Sequence, residues 1–244
     1  MSSDQKNIEV CFSPALFPHF KNKDSIVVIV DILRATSAIV TAFMNGVAKI
    51  IPVGTLGEAE QMKKKGYMVA AERDGIVRDF ADFGNSPYNF TPERVKDKEI
   101  VYSTTNGTQA IHEASACYRV VIGAYLNFTA LGNWLISENR DIVLLCAAWK
   151  NKFNLEDTLF TGALSEYLLK SGSYSTICDS VKASVDLYNL ASDDLLQYIE
   201  KAAQRHRLKK NKLDDVIGYC HKFDLTSLIP VLENDYLIAF QHNQ

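Results

Sequence analysis

A three-layer α/β fold is what the sequence predicts. Six short runs rich in β-branched residues alternate with stretches of helical pattern, and the runs are apolar throughout instead of alternating with polar residues. The alternation implies helices laid over a central sheet, and uniformly apolar strands suit a sheet covered on both faces. Strands are expected over Ile26 to Val30, Lys49 to Val53, Met68 to Ala71, Ile100 to Tyr102, Arg119 to Ile122 and Ile142 to Cys146. Helices are expected over Ser37 to Asn45, Leu56 to Lys65, Thr91 to Val95, Thr108 to Ala116, Thr129 to Ser137 and Leu155 to Ser171. "FGNSP", Phe83 to Pro87, is a stiff loop, after which Thr91 caps a helix with Pro92 at its first position. In the final third Ser192 is expected to cap one helix through "DDLLQYIEKAAQRHRLKK", followed by another over Leu213 to Cys220. The basic run Arg205 to Lys212 sits at a helix C-terminus, where positive charge suits the macrodipole, and reads as a solvated helix end.

Composition narrows the function classes. The 244 residues are 47% hydrophobic, enough for a sizeable core, and no linker rich in Gly, Pro or Ser divides them, so residues 1–244 are read as one domain. With 26 basic and 29 acidic residues the net charge is −3, which argues against nucleic acid as a partner. "MSSDQKNIEVCFSP" lacks the pattern of a signal peptide and no apolar run reaches eighteen residues, so a cytoplasmic location without a membrane partner is expected. A homo-oligomer is compatible with all of this. Cys11, Cys117, Cys146, Cys178 and Cys220 are scattered, without a CxxC pair, and read as reduced and mostly buried. His19, His112, His206, His221 and His242 are isolated and receive no role.

An internal echo runs through the chain. With Asp31 laid over Ser103, Arg34 falls on Asn106, Thr36 on Thr108, Ala38 on Ala110 and Ile39 on Ile111. The order strand, polar turn, helix, strand, helix, strand, polar turn then occurs twice, over about 25–97 and 98–171, leaving 172–244 as a helical and strand extension.

Ligands of open α/β sheets gather beyond the carboxyl ends of the strands. The polar residues there are Asp31 and Arg34, Glu72 with Arg73 and Asp74, "STTNGT" (Ser103 to Thr108), and Glu156 with Asp157. "STTNGT" before a helix offers hydroxyls and main-chain N–H groups to a phosphate, although a capped Asn-Gly turn has the same composition. Arg34, at the matching place of the other repeat, could fork onto the same phosphate. Asp31, Glu72, Glu156 and Asp157 would repel one another at a shared sheet edge, and an oxygen-only set favours Mg²⁺. Each also has a plain alternative: a strand-end turn for Asp31, a partner of Arg73 for Glu72, first-turn acids capped by Asn154 for the other two. Asn85 either orients a ligand or satisfies its own loop. No GxSxG, HExxH, GxxxxGK[ST] or Cys-x5-Arg pattern is present.

In order, "DILRATS", "AERDG", "FGNSP", "STTNGT", "YLN" and "FNLED" resemble the 2-phosphosulfolactate phosphatase family, from about Ser25 to Leu168, with a weaker trace at "DLTSLIPVL". The resemblance implies a mixed-sheet α/β/α fold of two intertwined similar halves. It also implies Mg²⁺-dependent hydrolysis of 2-phospho-3-sulfolactate to sulfolactate and phosphate, a step towards coenzyme M. The family's polar positions fall on Asp31, Arg34, Glu72, Asn85, Thr104, Thr105, Asn106, Gly107, Thr108, Glu156 and Asp157. The chain departs from the family in two places: "CAG" and a small polar residue become Cys146, Ala147, Ala148 and Trp149, and "GERGG" becomes "AERDG". These departures bear on substrate identity. The expectation is a phosphatase in which Mg²⁺ is held by Asp31, Glu72 and Glu156 or Asp157, with Arg34, Asn85 and the Thr104 to Thr108 turn on a small anionic phosphorylated substrate. A non-catalytic anion-binding protein and a Mg²⁺ lyase acting on a phosphorylated acid are the alternatives.

Overall fold

The computed structural model describes residues 5–241; the initial residues 1–4 and His242 lie outside them. The chain runs β1 (Lys6–Cys11), β2 (Ile26–Val30), α1 (Ala35–Met44), β3 (Lys49–Pro52), α2 (Leu56–Lys64), β4 (Met68–Arg73), β5 (Ile76–Val77), α3 (Pro92–Val95) and β6 (Glu99–Ser103). It continues through α4 (Gly107–Ala114), β7 (Arg119–Gly123), α5 (Phe128–Glu138), β8 (Ile142–Cys146), α6 (Leu155–Lys170) and β9 (Tyr174–Ser175). The remainder is α7 (Asp179–Ala191), α8 (Leu195–Tyr198), α9 (Ala203–Lys210), α10 (Ile217–Cys220), β10 (Leu228–Glu233) and β11 (Tyr236–Gln241).

All strands join one mixed sheet in the order β5-β4-β6-β3-β11-β10-β7-β2-β8-β1-β9. Every residue of β2 and β8 is buried, so both sheet faces are covered, as their apolar sequences require. Two parallel units flank an antiparallel hairpin. In one, β4 and β3 pair with β6; in the other, β8 and β7 pair with β2. The central strand of each unit comes from the opposite part of the chain, which is the intertwining of two similar halves. The hairpin β10–β11 closes the gap, β11 against β3 at Leu237–Ile50 and β10 against β7 at Val231–Val121. Asn127 seats it, its amide donating to Leu228 O at 3.1 Å and Ile122 O at 3.2 Å.

The six expected strands and six expected helices are present with ends shifted by a few residues. The final third differs. Helix α7 was not anticipated, and Ser192 ends it, Oγ donating to Asn189 O, instead of starting the next helix. The expected single helix is broken into α8, capped by Asp194, a 3-10 turn at Ile199–Lys201 and α9, because Ala202 is extended (φ −67°, ψ 139°). That break lets Ile199, Ala202 and Leu208 all bury, a tertiary gain that overrides local helix propensity. Strands β1 and β5 add to the six expected ones, and β9, β10 and β11 supply the strands of the expected helical and strand extension. No helix among the described residues is long and apolar enough to cross a membrane. Cys11, Cys117, Cys146 and Cys220 are buried, Cys178 is half-buried, and all five are free thiols.

Candidate active site

The turns after β2, β4, β6 and β8 converge on one cavity of about 210 Å³. That is below the ~300–1,000 Å³ of drug-sized ligand sites and suits a small acid. Helices α1 and α4 begin at its floor and touch there. A Cβ on Gly107 would stand 2.8 Å from Ala35 Cβ, 3.1 Å from Asp31 Oδ2 and 3.3 Å from Thr104 Oγ1. Only glycine permits this approach, which brings two positive helix ends to the same place. Gly107→Ala is expected to cost about 1–3 kcal/mol in urea unfolding.

Asp31 lies on the cavity wall with Oδ1 accepting from Ala35 N at 3.2 Å. Burial pushes its carboxyl up to about 7, with Glu72 and Glu156 adding to the rise while the Ala35 N–H and Arg34 oppose it. Arg34, only 4% exposed, donates to Asn85 Oδ1 at 2.8 Å and forms no ion pair among the described residues. Asn85 therefore serves Arg34 and not merely its own loop. A buried guanidinium without a carboxylate partner, facing a cavity, is a prepared anion site.

Glu72 also reaches the cavity, but both of its oxygens are engaged. Oε1 accepts from Thr105 N at 2.9 Å and from Thr105 Oγ1 at 3.1 Å, while Oε2 accepts from Gly75 N at 2.6 Å. It clamps the β4 turn to the β6 turn. Arg73 turns to the Glu72 carbonyl and to Ser103 Oγ instead of the Glu72 carboxylate. Asp157 is not on the cavity wall: Ile32 N (2.9 Å), Asn154 Nδ2 (2.7 Å) and Ala148 N (3.4 Å) all donate to it. Burial, Asp31 and Glu156 push its carboxyl up, opposed by the Asn154 and Ile32 donors. Asn154 occupies the N-cap position of α6 without capping it, its amide going to Asp157 and Glu156 instead. Glu156 Oε2 and Asn154 Oδ1 are left buried without a partner among the described residues.

Within "STTNGT", Thr105 and Asn106 line the cavity, whereas Thr104, Gly107 and Thr108 stand behind them. Thr104 and Thr108 bond each other, Thr108 N donating to Thr104 Oγ1 and Thr104 N to Thr108 Oγ1 at 3.3 Å. They hold the turn's shape. Two rim residues, Asp74 at φ 55° and Ala148 at φ 61°, are in left-handed backbone. Glycine adopts that conformation freely and these residues do not, so the chain keeps the turns at some local cost. The Asp74 carboxylate meets Lys150 Nζ at 2.9 Å.

The basic run expected to be a solvated helix end is the clearest revision. The break at Ala202 lays α9 over the cavity, so Gln204, Arg207, Lys210 and Asn211 join its lining with Trp149. The run of positive charge was the available signal; the bend that directs it was not. No histidine among the described residues lines the cavity.

Comparison with known proteins places the chain among the phosphoric monoester hydrolases. The family model described as 2-phosphosulpholactate phosphatase matches residues 11–235. A protein of Caldanaerobacter subterraneus subsp. tengcongensis is 33% identical over 216 residues, 87% of this chain and 89% of its own length. One of Clostridium tetani is 33% identical over 231 residues, 93% and 98% of the two chains, and one of Thermotoga petrophila is 33% identical over 211 residues, 86% and 90%. All three are named "Probable 2-phosphosulfolactate phosphatase". The chain belongs to the 2-phosphosulfolactate phosphatase family.

Proposed function

We propose that the protein, acting in the cytoplasm, hydrolyses the phosphate ester of a small anionic acid, 2-phospho-3-sulfolactate or a near analogue, to the hydroxy acid and inorganic phosphate. The observation that carries this is Arg34, a buried guanidinium without an ion pair among the described residues, facing the same cavity as Asp31 and Glu156. Arg34 binds the phosphate oxygens, Asn85 orients it, and the positive ends of α1 and α4 favour the charge of the transferred group. Water attacks phosphorus and the ester oxygen leaves with a proton.

A divalent cation fits the donor set. Among the described residues no three of His, Cys, Asp or Glu stand close enough to hold an ion by themselves. Mg²⁺ is nevertheless commonly held by one or two carboxylates together with water and substrate phosphate. The buried, unpartnered Glu156 Oε2 and Asn154 Oδ1 supply hard oxygens beside Asp31, and these three residues would hold the ion. Glu72 and Asp157, whose oxygens are occupied by main-chain and amide donors, would shape the site instead. Bound there, Mg²⁺ would neutralise charge on the phosphoryl oxygens.

The test is phosphate release from 2-phosphosulfolactate and from an aryl phosphate, with Mg²⁺ and with chelator. Release that requires the cation and favours the sulfolactate ester is the expected result. No release from any monoester would remove this reading, and anion binding without turnover would favour the non-catalytic alternative.

A further inference from the structure

Helix α9 brings to the cavity cations that a phosphate already served by Arg34 does not require. The Arg207 guanidinium carbon lies 4.4 Å from the centre of the Trp149 ring. Its Nε donates to Gln204 Oε1 at 2.7 Å, and Gln204 Nε2 donates to Leu33 O at 2.9 Å, on the turn that carries Asp31 and Arg34. This relay fixes the guanidinium relative to the phosphate site. Its two terminal nitrogens have no hydrogen-bond partner among the described residues, and neither Arg207 nor Lys210 forms an ion pair there. Arg205, on the same helix, is treated differently: Glu200 at 2.8 Å and Asp214 at 2.7 Å neutralise it, and it does not line the cavity. The fold pairs the cation that faces elsewhere and leaves the two at the cavity without a direct ion pair among the described residues, the Glu156 carboxylate acting on Arg207 only across the cavity.

We propose that Arg207, steadied on Trp149, and Lys210 form a second oxyanion subsite that binds a carboxylate or sulfonate of the substrate while Arg34 holds its phosphate. The choice of ligand rests on the phosphatase reading above. The subsite makes an additional acidic group a requirement for tight binding, so phosphate monoesters of uncharged alcohols are poor ligands. The Trp149 ring fixes the position of the guanidinium, which makes the stacked pair a specificity determinant of the site.

Calorimetric titration of the full chain with sulfolactate, lactate and inorganic phosphate tests this. Arg207→Ala is expected to weaken sulfolactate about 10- to 100-fold, as for loss of a charge-assisted pair, while phosphate affinity stays within about threefold. Arg34→Ala is expected to show the reverse pattern. Lys210→Ala, at an exposed position that tolerates truncation, is expected to weaken sulfolactate by about three- to tenfold. Lactate locates the anion: an Arg207 effect that persists with lactate assigns the carboxylate, and one that vanishes assigns the sulfonate. No sulfolactate binding by the wild type, equal losses of sulfolactate and phosphate in Arg207→Ala, or indifference to either α9 substitution would overturn the subsite. Arg207-dependent sulfolactate binding in a protein that releases no phosphate from any monoester would remove the hydrolase and leave the subsite standing.

Discussion

Asp31→Asn is expected to abolish catalysis and strengthen the fold. Turnover should fall on the order of a thousandfold, because the carboxylate nearest the α1–α4 junction loses its charge. Stability should move the other way. Burial, then Glu72 and Glu156, raises the Asp31 carboxyl to about 7, against an ordinary value near 4 in the unfolded chain. Between about pH 4 and 7 the native state holds a proton that the unfolded state has released. Unfolding free energy therefore falls as pH rises through that window and stays low above it. Asparagine keeps the acceptor for Ala35 N and carries no charge, so the penalty disappears. After allowance for water in the cavity, the gain above pH 7 without divalent cation is about 2–3 kcal/mol, or about 5–10 °C in Tm. It should shrink towards pH 4, and added Mg²⁺ should raise the Tm of the wild type but not of the variant. Melting curves at pH 4.5 and 8, with and without Mg²⁺, check this; an unchanged Tm at pH 8 would contradict it.

Glu72→Ala should do the opposite to stability. Glu72 is 3% exposed and accepts from Gly75 N, Thr105 N and Thr105 Oγ1. Truncation strands two main-chain N–H groups at ~1–3 kcal/mol each. A loss of about 3–4 kcal/mol in urea unfolding is expected, together with loss of turnover as the β4 and β6 turns part. Glu72→Gln preserves volume but places an NH₂ among donors, so it should recover only part of that stability. If Glu72→Ala proved as stabilising as Asp31→Asn, Glu72 would be an unsatisfied site carboxylate and not a clamp.

These contrasting carboxylates mark what the sequence could and could not convey. The apolar runs announced their strands because a strand buried on both faces has few alternatives. The turns at Asp31, Glu72, Ser103 and Glu156 were recognisable because acids and hydroxyls at strand ends have no place in a core. Division of labour among those acids was not legible. Asp31 and Glu156 each keep one oxygen without a hydrogen bond among the described residues while both oxygens of Asp157 and of Glu72 accept donors, and that depends on distances across the sheet, not on spacing along the chain. Arg207 was hidden for a related reason, since an extended Ala202 within a helical pattern is chosen by the burial of Ile199 and Leu208. The exchange of β2 and β6 between the sheet units was expected only through the family resemblance, because hydrophobic periodicity names a strand and says nothing of its partner.

The hairpin has a further consequence for how the molecule is made. β10 and β11 are the last strands along the chain, yet they occupy the middle of the sheet. During synthesis β3 and β7 can pair with their parallel neighbours early, each then presenting an open edge to the other. Such edges invite association with other chains. Residues 228–241 therefore act as a closing seam, and a chain made without them would leave the β3 and β7 edges open.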